Sequence, residues 1–98
     1  MTKQEISQIL EDLVNDFIDK KIGKTEVVEK LITSINPIEV YNLENELLIT
    51  DCYFAIKHLG EDNFETTVRE LVYFKECFMG VKSYNMVQKN LFILGQGD

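Results

Sequence analysis

Residues 43–59, LENELLITDCYFAIKHL, form the longest run in the chain that is dense in large apolar side chains, and their reading decides the fold. At about 100° per residue, Leu48, Ile49, Cys52, Tyr53, Ala55, Ile56 and Leu59 sweep one broad apolar face. That face is too wide for a helix packed on one side, so the segment is predicted to be a central helix with neighbours in several directions. Leu43, Leu47 and Phe54 make a second, narrower stripe, and Glu44, Asp51 and His58, spaced by seven, run between the two. One stripe should be core, and the other, with its acidic seam, is where a partner is expected.

Before the central helix the chain reads as a helical hairpin. Thr2 and Glu5 have the spacing of a capping box, in which side chains satisfy the first unpaired amides of a helix. Ile6, Ile9, Leu10, Leu13, Val14, Phe17 and Ile18 follow as one amphipathic stripe, with Glu11, Asp12, Asp16 and Asp19 outside it. The helix is predicted to run to about Lys21. Lys20 and Lys21 suit the negative end of its dipole, and Gly23 is the expected left-handed terminator. A second helix starts near Thr25, presents Val27, Val28, Leu31, Ile32 and Ile35, and stops at Asn36-Pro37, because a residue before proline is pushed out of the helical region. Asn36 and Pro37 are also a start signal, and residues 37–42 read equally as a separate turn or as the first turn of the central helix.

Beyond the central helix, Gly60 and an acidic loop lead to Thr67-Val68-Arg69-Glu70, a second capping box, and to a helix over 68–79 that ends at Gly80. Leu71, Tyr73, Phe74, Cys77 and Phe78 lie on one side of it and Val68, Val72 and Met79 on the other, so it too should be contacted from more than one direction. Asn85 and Gln88 are expected to cap a short last helix with Met86, Val87, Leu91 and Leu94, although Phe92-Ile93-Leu94 is also a β-compatible run. One proline and five glycines, mostly at helix ends, fit an all-α protein. The expected architecture is a single domain over residues 1–98, a compact antiparallel bundle of four to five helices.

Composition narrows the function. Apolar residues at 45% and charged residues at 28% describe a folded chain, and its 98 residues suffice to bury roughly 60–70% of the unfolded surface without a disulfide or metal. The net charge of −7 opposes nucleic acid and anionic lipid and favours a basic partner. The charge is local: Glu39, Glu44, Glu46, Asp51, Glu61, Asp62 and Glu65 face only Lys57 within residues 39–65, which leaves −6 of the −7 there. A solvated face that only maintains solubility is the plain alternative. The opening MTKQEISQILEDLV places acids where a signal peptide needs an apolar run, and no stretch approaches the roughly 20 apolar residues of a membrane span, so a cytoplasmic protein is expected. Cys52 and Cys77 sit in helical apolar patterns and are expected to be buried, reduced thiols.

The residues hold little that resembles catalysis. His58 is the only histidine, and its place near a helix end is explained by the dipole. Glu44, Asp51 and His58 are each about 10 Å apart along the axis, too far to share a proton. Cys52, His58 and Cys77 lack the spacing of a zinc site, and residues 61–65 lack the pattern of a calcium loop, so no metal and no cofactor is expected. Lys20, Lys21 and Lys24 are the only basic cluster, and direct nucleic-acid binding is not expected. Tyr41, Tyr53, Phe64 and Tyr84 are less forced into the core, since a tyrosine suits an interface where its ring is dry and its hydroxyl wet.

The stretch LVNDFIDKKIGKTEVVEKL, a helix ending in an apolar-aromatic pair followed by a Lys-Ile-Gly turn and a Thr-Glu start, resembles the opening hairpin of colicin D-type immunity proteins. ELLITDCYFAIKHL with ELVYFKECFMG resembles the paired helices of small immunity proteins from contact-dependent growth inhibition systems. Together these stretches span roughly residues 10–80. The resemblance implies a cytoplasmic antidote, not an enzyme, that binds a basic toxin nuclease, often a tRNase, and excludes its RNA by presenting carboxylates to the cationic site. On the charge map, the expected contacts are Glu44, Glu46, Asp51, Glu61, Asp62 and Glu65, with Tyr41, Tyr53 and Phe64 as dry anchors. A monomer is expected ahead of a homodimer. The competing reading is a small regulatory or adaptor protein that uses the Leu43, Leu47, Phe54 stripe to dimerise or to hold a partner helix.

Overall fold

The Thr2 hydroxyl accepts the Glu5 amide at 3.1 Å while the Glu5 carboxylate accepts the Thr2 amide at 2.9 Å, so the chain starts its first helix at the residue pair that the sequence singled out. The computed structural model describes residues 1–43, 46–59 and 68–94. It contains helices α1 (Lys3–Ile18), α2 (Lys24–Ser34), α3 (Pro37–Tyr41), α4 (Leu47–His58), α5 (Val68–Phe78) and α6 (Met86–Ile93). The fold is all-α, and the radius of gyration of 12.7 Å matches the ~13 Å of a close-packed chain of about 100 residues.

Six helices among the described residues replace the four or five expected, because residues 37–41 form a helix of their own. Asn36 accepts the Ile38 amide at 3.0 Å and Pro37 occupies the first turn, which starts α3; the central helix begins afresh at Leu47 and excludes Leu43. The first helix also stops earlier than expected. Its left-handed terminator is Lys20, at φ 62°, and not Gly23, which instead caps α2 at φ −90°. The Lys21 amide reaches back to the Asp16 carbonyl at 2.8 Å and the Lys20 amide to Phe17 at 3.1 Å, which is the Schellman arrangement. Gly80, at φ 79°, ends α5 in the same way, through Val81 to Glu76 at 2.9 Å and Gly80 to Cys77 at 3.1 Å.

One core joins these elements. Ile6, Leu10 and Val14 of α1, Val27 and Leu31 of α2, Val40 of α3, Ile49, Cys52, Tyr53 and Ile56 of α4, and Leu71 and Phe74 of α5 are buried in a single cluster. The helix α1 packs mainly on α5, with α2 and α4 alongside. As expected from its broad apolar face, α4 touches α1, α2, α3 and α5. The helix α5 bridges α1, α4 and α6. Cys52 and Cys77 are buried free thiols, and burial pushes both up, Cys52 well above the ordinary thiol range. No helix among the described residues is long and apolar enough to cross a membrane.

The C-terminal segment attaches differently. The helix α6 has no buried side chain and packs on α5 through polar and aromatic contacts. Asn85 caps it by accepting the Val87 and Gln88 amides, as expected. Arg69 donates through Nη2 to the Phe92 carbonyl at 2.6 Å and lies 4.6 Å from the Phe92 ring centroid. Lys89 pairs with Glu70 at 3.1 Å and Lys82 with Glu76 at 2.9 Å, while the Tyr84 ring stacks on Phe74 at 6.0 Å. Residues 92–94 are helix and helix end, so the β-compatible run is not a strand.

Candidate functional site

The outward side of α4 is the second stripe of the central segment. Leu47, Asp51, Phe54 and His58 recur at helical spacing opposite the buried Ile49, Cys52 and Ile56. Leu47 is 61% exposed, and Phe54 is half-buried against the core. The short helix α3 supplies the neighbour: Tyr41 is 63% exposed, yet its ring lies 5.8 Å from Phe54, centroid to centroid. Phe54 in turn meets Tyr53 edge-on at 5.5 Å and the His58 ring at 6.3 Å. Ile38, one turn before Tyr41, is exposed as well. An exposed phenol held by a ring contact loses little freedom when a partner covers it, which is the character of an interface anchor.

The expected contact residues divide four ways. Tyr41 is on the surface, as its proposed role requires. Tyr53 is not: it is 1% exposed, because its position on α4 faces the core, so it cannot meet a partner and is corrected to a packing residue. Glu46 and Asp51 are engaged inside the chain. Glu46 pairs with Lys3 at 2.7 Å, and Asp51 accepts the Tyr84 phenol. Tyr84, which the sequence left as a surface candidate, is thereby a structural residue whose phenol is pushed well above its usual range by burial and by the Asp51 carboxylate. Glu44, Glu61, Asp62, Phe64 and Glu65, like the Thr67 cap, lie outside the described residues.

The electrostatics shift accordingly. Glu39 binds the N-terminal ammonium at 2.7 Å, so all three described acids of the 39–65 segment have an internal partner. By contrast, α1 exposes Asp12 and its C-cap residue Asp19 and leaves Asp16 half-buried, and Asp16, Asp19 and Glu29 form no ion pair among the described residues. Among the described residues Asp12 accepts only from Gln8, at 2.9 Å. Periodicity placed these carboxylates outside the α1 stripe, but adjacency in sequence drew attention to the central segment instead. Among the described residues no group of three His, Cys, Asp or Glu side chains is placed to hold a metal ion.

A cleft lies at the α1–α2 turn. Phe17, Ile18, Ile22 and Val68 make its apolar wall, and Lys20, Lys21, Gly23 and Glu26 complete it, around about 450 Å³. The sequence explained those lysines by the helix dipole alone. The signal available was their position in a turn just past Phe17 and Ile18, with only Asp19 between.

Compared with known proteins, the chain matches no protein-family model, no curated protein and no solved structure.

Proposed function

We propose that this chain is a protein-binding inhibitor, an immunity protein that neutralises a basic nuclease toxin by covering its RNA-binding surface, with a tRNase as the toxin class that the sequence resemblance implies. The observation that carries the reading is the α3–α4 surface: Tyr41, Leu47 and Ile38 are exposed together and Tyr41 is held on Phe54. Such a surface suits burial against another protein, where aromatic anchors supply most of the binding energy. The net charge of −7 makes a cationic partner the favourable one and speeds its capture at low salt.

Because Glu46 and Asp51 are tied internally, the proposed contact is led by the aromatic and aliphatic anchors, with the field of the whole chain as the steering term. The test is co-purification of the chain with a candidate toxin domain, followed by calorimetry on Tyr41→Ala and Leu47→Asp. Loss of binding by at least about 2 kcal/mol for Tyr41→Ala supports the assignment. Binding that both variants leave unchanged removes it. A stable homodimer in gel filtration that Leu47→Asp dissociates would favour the adaptor reading, since the same stripe would then be covered by a second copy.

A further inference from the structure

From the cleft at the α1–α2 turn we infer a ligand site for a small amphiphilic anion, a carboxylate or similar head on a short alkyl chain, independent of the protein contact proposed above. Three observations converge there. The first is shape. A cleft of about 450 Å³ falls within the roughly 300–1,000 Å³ typical of small-molecule sites.

The second is the wall. Phe17 and Ile18 are only half-buried, and Val68 at the first position of α5 is 54% exposed, so apolar side chains from two helices stand around an open space. An alkyl chain entering this space removes their remaining apolar surface from water, which is the favourable term.

The third is charge. Lys20 and Lys21 line the cleft and, like Lys24, Lys57 and Lys75, form no ion pair among the described residues. The one acid in the lining, Glu26, pairs with Lys30 at 3.5 Å. Asp16 and Asp19 belong to the same turn but not to the lining, so the two ammonium groups that border the apolar hollow favour an anionic head over a neutral one. The left-handed conformation of Lys20 places both lysines in the turn itself, next to Ile22 of the wall.

The test is an NMR titration of the full chain with sodium octanoate, 1-octanol and sodium acetate. Octanoate is expected to give saturable shifts at Phe17, Ile18, Ile22, Gly23 and Val68, with 1-octanol at least about tenfold weaker and acetate not saturating, because head and tail must both be satisfied. The double variant Lys20→Asn, Lys21→Gln keeps a residue suited to positive φ and removes both charges; it should bring octanoate down to the affinity of 1-octanol. Val68→Asp, at an exposed helix start, should weaken octanoate by repulsion while the circular dichroism stays native. Equal binding of octanoate and 1-octanol, shifts spread over the whole surface, or no saturation with octanoate would overturn the inference.

Discussion

The phenol of Tyr84 donates a hydrogen bond to the carboxylate of Asp51, thirty-three residues earlier in the chain, and so fastens the segment before α6 to the outward side of α4. The same tyrosine stacks on Phe74 and meets Tyr73 at 6.2 Å, while the Tyr73 hydroxyl donates to the Ser83 carbonyl at 3.0 Å. A carboxylate that the charge map assigned to a partner is thus part of the attachment of the C-terminal segment.

Asp51→Asn and Tyr84→Phe should each destabilise the protein by about 1–2 kcal/mol, since each removes one side of a partly buried hydrogen bond to a charged group. Urea denaturation of both singles and of the double variant should return a coupling energy of about 0.5–2 kcal/mol. Additive effects would show that the two residues act separately. For the same reason Asp51→Lys is a poor probe of partner binding: it would loosen the C-terminal segment as well as reverse a charge.

Tyr41 and Tyr53 should part company. Tyr53→Ala opens a cavity in the core and should cost about 3–5 kcal/mol in urea denaturation. Tyr41→Ala loses one ring contact at the surface and should cost about 0.5–1.5 kcal/mol. Equal losses at the two positions would contradict the placement of Tyr53 inside and Tyr41 outside.

The two Schellman turns predict opposite signs. Gly80→Ala forces a Cβ into left-handed backbone and should destabilise by about 1 kcal/mol, although nothing lies near enough to clash. Lys20→Gly relieves that conformation and should stabilise by about 0.5–1 kcal/mol. Thermal denaturation of the two variants checks both. A lower midpoint for Lys20→Gly would mean that the added freedom of glycine in the unfolded chain outweighs the relief.

Alkali should unfold the protein. Burial, chiefly, raises the phenols of Tyr53, Tyr73 and Tyr84 above their ordinary 10 and the thiols of Cys52 and Cys77 above their ordinary 9. The folded chain then holds protons that the unfolded chain releases, so this contribution is complete below about pH 9 and is lost as pH rises past the ordinary values. Stability in urea should be flat in this respect up to pH 9 and fall steeply above pH 10. The phenolate absorbance of these three tyrosines should appear together with loss of helical dichroism. Ionisation of all three ahead of unfolding would contradict their burial.

Much of the helical plan was legible locally. The Thr2–Glu5 box, the Asn36-Pro37 junction, the Asn85 cap and the Gly80 stop each depend on side chains and backbone within a few residues, and the structure bears them out. The broad stripe of α4 was legible too, because 3.6-residue periodicity decides which side chains share a face. Lys20 is the instructive miss. Glycine is the favoured left-handed terminator, but the core position of Ile22 in the turn and the packing of α1 on α2 go with a stop three residues before Gly23.

Sequence alone determined that this chain is acidic, helical and built around residues 43–59, since composition, capping and periodicity are properties of neighbours along the chain. Only the tertiary structure decided which carboxylates are occupied, that Tyr53 is inside and Tyr41 outside, and that Lys20 and Lys21 border a cleft with Val68. Those facts depend on which distant segments meet: Lys3 with Glu46, Tyr84 with Asp51, and the α1–α2 turn with the start of α5. Charge counted along a chain says how much field there is, and the fold sets which charges remain free to act on a partner.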